Sequence, residues 1–318
     1  MFSLNGGKKS LWALEISSAV CRMRNDGFSD FMEKTVALLS NCPIKRLTLN
    51  CHYEQSSVDH WIRSALERGC LELNLQSQYA HSLDIGIFSR NNTLVKLTLS
   101  SFRTFVQGNF PPDGTVFFPA LKTLSLGAVV ADPALYNWLI SGCPVLEELL
   151  IRDVGDGDDD QPTWTRSVVS ASIKRLTIYF HYPLDTYPYE DDVEIKTPNL
   201  EFLDYSALLS DGSDVDYLDS LAEARLDLRL WELPTTDRSP PSEVEGRCCL
   251  STCRVKVLEI SGYGGSYREV KQMEHFLGKL KYLETVKIGV EEDNNSEYLR
   301  ANLMTLARAS SKCNIQFI

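Results

Sequence analysis

This sequence predicts an α/β solenoid: a curved chain with a parallel strand layer on its concave face and helices outside. Three observations carry the expectation. A short phrase with leucine or a similar residue at its first, fourth and sixth places recurs along the chain. Its recurrence is nearly periodic. The stretches between phrases carry apolar residues at helical spacing.

The phrase reads Leu11-Trp-Ala-Leu14-Glu-Ile16, then Ile44-Lys-Arg-Leu47-Thr-Leu49, and shortened as Leu71-Glu-Leu73-Asn-Leu75. It returns from Leu94, Leu121, Leu146, Ile173, Leu200, Val255 and Leu283, with a degenerate copy at Leu226-Asp-Leu228. The second leucine stands at Leu47, Leu73, Leu97, Leu124, Leu149, Leu176 and Leu203, in steps of 26, 24, 27, 25, 27 and 27 residues. That is the strand signature of a leucine-rich repeat. Alternate side chains of a strand share a face. Leu47 and Leu49 therefore point together, while Arg46, Thr48 and Asn50 point the other way. One repeat cannot bury its apolar face alone, and stacked neighbours close a continuous core.

The intervening segments supply the helix layer. Val58 to Glu67 has helical apolar spacing and stops at Gly69. Pro133 to Gly142 opens with proline and closes with glycine, the expected asymmetry. Phe31 to Leu39, Tyr267 to Leu280 and Glu297 to Ser311 read the same way, and Cys313 to Ile318 reads as a final strand. The phrases and helices predict a remnant over residues 1–10, a repeat solenoid over 11–232, a linker over 233–246 and a last strand-helix domain over 247–318. The linker, Leu233 to Gly246, holds three prolines in 14 residues.

Composition excludes several classes. The apolar fraction of 43% suffices for a core, and no run approaches the length of a membrane span. Without a signal-peptide run behind Met1, the expectation is an intracellular protein, cytoplasmic or nuclear or both. Nine cysteines are scattered, with no C-x-x-C. The one cluster, Cys248, Cys249 and Cys253, has no histidine beside it, so reduced core thiols are expected and no metal. The net charge of −11 is uneven: Asp153 to Glu223 holds 17 acidic and 4 basic residues. Such a surface repels phosphate backbones, which disfavours nucleic acid. It suits a basic partner, although a charge run is also simply a solvated loop.

Two motifs dissolve on inspection. Gly262-Tyr-Gly264-Gly265-Ser-Tyr267 sits between a strand and a helix, as a dinucleotide-binding turn would, but Tyr267 stands where the third glycine belongs. A tight turn is the simpler account. Asp156-Gly-Asp158-Asp-Asp160 begins like a calcium loop, then places Gln161 and Ser167 where glycine and glutamate are required. No nucleophile context appears, and no cofactor is expected.

The chain resembles the plant F-box/leucine-rich-repeat/FBD proteins. The phrases that carry this are Asn41 to Leu49 with Val58 to Gly69, Thr93 to Leu99, Phe118 to Leu126, and above all Ile140-Ser-Gly-Cys-Pro-Val-Leu-Glu-Glu-Leu149. Val257 to Gly265, Met273 to Lys287 and Ala309 to Phe317 resemble the FBD domain. The resemblance implies a non-catalytic substrate-recognition arm of a cullin-RING ubiquitin ligase. Family members usually open with an F-box that docks the ligase adaptor. Only ten residues precede Leu11 here, so the expectation is a chain that lacks the F-box and does not dock the adaptor by that route. A small-molecule receptor solenoid, a truncated non-functional paralogue and a hydrolase on an α/β scaffold are the alternatives. The partner is expected on the concave strand face, at Asp204, Arg225, Asp227, Arg229 and Trp231. Alternation sets these residues opposite the buried leucines, and tryptophan beside arginine has the composition of a binding hot spot. Trp231 packed beneath the proline-rich segment is the competing account.

Overall fold

The computed structural model describes residues 14–17, 34, 43–51, 54–88, 91–105, 118–129, 133–154, 167–181, 193–206, 214–216, 218–227, 253–290 and 296–318. The remnant over 1–10, the helix expected over Phe31–Leu39 (Lys34 apart), the acidic run Asp156–Asp160, the linker 233–246, Arg229, Trp231, Cys248 and Cys249 lie outside those residues. The chain divides into two compact units, Met1–Thr165 and Arg166–Ile318.

The first unit contains β1 (Leu14–Ser17), β2 (Ile44–Cys51), α1 (Gln55–Glu67), β3 (Glu72–Asp84), a 3-10 turn (Ile85–Phe88), β4 (Lys96–Phe105), β5 (Thr123–Gly127), α2 (Pro133–Ser141) and β6 (Glu148–Val154). Its strands pair in chain order and in parallel. The register sets Leu47, Leu73, Leu97, Leu124 and Leu149 side by side, and Leu49, Leu75, Leu99, Leu126 and Ile151 in the next row. None of these is more than 2% exposed. The period of the sequence thus becomes two apolar rows running across the strands, which is the leucine-rich-repeat fold.

The step between repeats has its own hydrogen bonds. Lys122 N–H and Thr123 N–H both donate to the Val95 carbonyl, and Glu147 N–H and Glu148 N–H both donate to that of Lys122. A turn precedes each strand: Leu121 N–H donates to Phe118 O, Leu146 to Cys143 O, Leu200 to Thr197 O and Leu221 to Leu218 O. At the third repeat the side chain of buried Asn91 serves instead, accepting from Leu94 N–H at 2.8 Å. Backbone groups that would otherwise be buried without partners are satisfied by the neighbouring repeat.

Helix α1 buries Val58, Trp61, Ile62, Ala65 and Leu66 on one face. It ends as its glycine requires. Gly69 adopts φ 75°, its N–H donates to Leu66 O, and Cys70 N–H donates to Ala65 O, both at 3.1 Å. This is a Schellman closure, which uses a left-handed residue that glycine tolerates best.

The second unit contains β7 (Ser167–Val169), β8 (Arg175–His181), β9 (Glu194–Lys196), β10 (Phe202–Ser206), β11 (Asp214–Asp216), β12 (Glu223–Asp227), β13 (Val257–Tyr263), α3 (Tyr267–Lys279), β14 (Thr285–Val290), α4 (Ser296–Thr305) and β15 (Asn314–Phe317). Within this unit β8, β10, β12, β13, β14 and β15 pair in that order and in parallel. Leu176, Leu203, Ala224, Leu258, Val286 and Ile315 form one buried row.

Two details depart from the sequence reading. The sequence reading placed helices outside the strand layer. Between the main strands β8, β10 and β12 the chain instead contributes short strands, and β11, β9 and β7 join in a separate three-stranded sheet. Each short strand centres on one β-branched residue, Val168, Ile195 or Val215, in mutual register; such residues favour a strand. The second departure is α4, which ends at Thr305 and not near Ser311. Beyond it Ala309 N–H donates to Leu277 O of α3 at 2.8 Å, so that backbone donor serves packing between elements and not helix continuation.

Candidate functional site

The strand positions expected to meet a partner lie in the second unit. Asp204 on β10 is in register with Arg225 on β12, which is in register with Glu259 on β13, and Glu259 with Lys287 on β14. All four project opposite the buried row. The Arg225 guanidinium lies 3.1 Å from Glu223 and 3.7 Å from Glu259, and Lys287 lies 3.5 Å from Glu259. Charge therefore alternates across the strands, and neighbouring groups neutralise one another. Such half-exposed pairs contribute little stability individually, but they hold the side chains in fixed positions.

Beside this row stands an aromatic residue that the sequence reading did not single out. Phe202 occupies an outward position of β10, yet it is only 7% exposed. Arg175 lies over its ring at 4.0 Å and Arg225 at 5.3 Å. Two guanidinium groups thus share one ring, a cation–π arrangement that orders both. The signal was present in the sequence: stacking the repeats by their leucines aligns Arg175, Phe202 and Glu223 directly. Asp227 is the last residue of β12, and its backbone pairs with Ser261. Arg229 and Trp231 lie outside the described residues; of the five expected contact residues, Asp204 and Arg225 are in register on neighbouring strands, and Asp227 is described by its backbone alone.

The strand-to-helix glycine turn takes the form of a closed cap. Gly262 and Gly265 adopt φ 68° and 77°. Ser266 Oγ accepts from Glu269 N–H, and the Glu269 carboxylate accepts from Ser266 N–H at 2.7 Å and from Gly264 N–H at 3.2 Å. The donors that a nucleotide phosphate would use are occupied by the protein's own carboxylate, itself 3% exposed.

Cys70, Cys143, Cys253 and Cys313 are buried thiols. Burial pushes the Cys143 thiol up to about 12 and the Cys70 thiol up to about 11. These are packed thiols, not activated nucleophiles. Among the described residues no cluster of three metal-ligating side chains occurs, and no helix is long and apolar enough to cross a membrane.

Comparison with known proteins follows the same lines. The family profile described as "FBD-associated F-box protein At5g56370, LRR repeats" matches residues 58–214. The F-box/LRR-repeat protein At5g35995 of Arabidopsis thaliana is 64% identical, over 92% of this chain and 87% of its own length. The putative F-box protein At1g64540 of the same plant is 48% identical over 92% and 88%, and F-box protein At4g27050 is 38% identical over 93% and 84%. The first alignment runs over 397 residues, whereas 92% of 318 residues supplies about 293; on the order of 100 positions of that relative, inside the aligned span, have no counterpart here.

Proposed function

This chain belongs to the F-box/LRR-repeat protein family, and on that premise we propose that it is a non-catalytic protein-recognition module, the substrate-binding arm of a cullin-RING ubiquitin ligase of the F-box type. The observation that carries the reading is the outward face of the strand ladder in the second unit. There each repeat adds one side chain at a fixed position, and Asp204, Arg225, Glu259 and Lys287 are held by their neighbours. A partner meets a pre-ordered surface and loses little side-chain freedom on that side of the interface. Phe202 between Arg175 and Arg225 adds the aromatic and arginine chemistry in which binding hot spots are rich. Arg229 and Trp231 belong to the same proposed contact on the sequence's alternation of polar and leucine positions.

The test begins with proximity labelling by the tagged full chain in plant cells, followed by affinity measurement with each purified candidate. Arg225→Ala, Arg229→Ala and Trp231→Ala are each expected to weaken a genuine partner by about tenfold or more, the effect of losing a hot-spot side chain. A partner that binds all three variants as tightly as the original chain would remove this face from the proposal.

A further inference from the structure

The first unit presents an outward face of different chemistry. Its register lines up Arg46, Glu72, Lys96, Thr123 and Glu148 in one row, then Thr48, Asn74, Thr98, Ser125 and Leu150, then Asn50, Gln76, Ser100, Gly127 and Arg152. The first row carries charge, and that charge is engaged within the row: Arg46 lies 2.7 Å from Glu72, and its guanidinium holds the Glu72 carboxyl below the ordinary carboxylate value. The next two rows contain no charge from β2 through β5. Every position there is a hydroxyl, an amide or glycine. Asn74 and Gln76 are exposed, and Thr98, Ser100 and Ser125 are half-buried.

We propose that this uncharged strip is a binding site for an extended, uncharged segment of a partner polypeptide, rich in serine, threonine, asparagine, glutamine or glycine. Charge complementarity carries the choice. A lysine or glutamate laid on the strip would surrender water without meeting an opposite charge in these two rows from β2 through β5, a costly exchange. Amide and hydroxyl side chains both donate and accept, so they match the alternating N–H and C=O groups of an extended main chain. Strands stand about 4.8 Å apart, so the four from β2 to β5 accommodate about five residues of extended peptide. Gly127 leaves its position open beside Ser100; a Cβ there would lie 3.4 Å from Ser100 Oγ, and without one a partner's main chain approaches closely. Leu150, half-buried at the end of the middle row, selects an apolar residue at one end of the segment. No residue of the three rows is aromatic, which leaves no platform for stacking a sugar.

The inference rests on the reading of the chain as a protein-recognition module, and it does not depend on the Arg225 face. The experiment pans the full chain against a displayed library of random twelve-residue peptides, then measures synthetic copies by fluorescence anisotropy. Enriched peptides are expected to share an uncharged polar run flanked by one apolar residue. Their affinity should change by less than about twofold between low and high salt, because no ion pair is made. Asn74→Ala with Thr98→Ala, and separately Gln76→Lys, should weaken binding by about tenfold or more, while Arg225→Ala leaves it unchanged. Circular dichroism melts of each variant verify that the fold is retained.

Enrichment of charged peptides, strong salt dependence, or no enrichment at all would overturn the strip. So would tight binding of a neutral oligosaccharide at these rows. Peptides that are lost with Arg225→Ala and kept by the strip variants would overturn this inference and leave the proposed function standing.

Discussion

Leu124 and Leu176 are each 0% exposed and sit in the central row of their respective units. Replacing either with alanine removes apolar contact and leaves a cavity, at a cost of about 2–5 kcal/mol. The expected outcome is a lowered urea midpoint with unchanged spectra for the part of the chain that stays folded. The buried acids give a second expectation at this scale. Burial pushes the Cys143 thiol from 9.0 up to about 12, Cys70 from 9.0 up to about 11 and the Tyr263 hydroxyl from 10.0 up to about 12. In the unfolded chain these groups titrate at their ordinary values. Below pH 9 both states keep the protons, and the stability they represent is fully present. Above it the unfolded chain releases protons that the folded chain retains, so stability falls as pH rises from about 9 toward 12. Urea midpoints at a series of pH values check this, and Cys143→Ala should make the alkaline decline shallower. Single residues were the most legible layer of this sequence, because alternation assigns each leucine and each polar neighbour to a face. Phe202 escaped notice because its outward position and its burial conflict until the two arginines beside it are seen.

Elements were legible where local chemistry closes them. Helices α1 and α2 were marked by Gly69 and Pro133, and α3 by its apolar spacing. The capping box at α3 is the clearest case, and it makes a direct test. Ser266→Ala removes the side chain that caps Glu269 N–H and should cost about 0.5–2 kcal/mol. Gly265→Ala should cost more, about 1–3 kcal/mol, from a left-handed backbone alone; its Cβ would also collide with Leu299 Cδ2 of α4. Thermal melts of the two variants, ranked against each other, check the argument: Gly265→Ala must be the less stable. The small sheet of β7, β9 and β11 was not legible, since each strand is three residues long and its pairing partner lies in another repeat. The extension of β3 and β4 was hidden for a similar reason. Their pairing resumes at His81 and Phe102 after a register shift, and Ser101 enters at φ 59°, a conformation that no sequence pattern marks.

At the scale of the whole molecule, each repeat leans mainly on its neighbours. The same nearest-neighbour logic predicts how damage travels. Leu124 on β5 packs in register between Leu97 on β4 and Leu149 on β6, so a cavity there weakens those strands first. Strands β13, β14 and β15 have their own buried row of Leu258, Val286 and Ile315 and share none of those contacts. Hydrogen exchange of Leu124→Ala, followed by mass spectrometry, is expected to show faster exchange across β4, β5 and β6, with peptides from β13 to β15 unchanged. The reciprocal variant, Val286→Ala, should accelerate β13 to β15 and spare β4 to β6. If either substitution accelerates exchange equally at both ends of the chain, the molecule unfolds as one cooperative block, and the nearest-neighbour account of its stability is wrong.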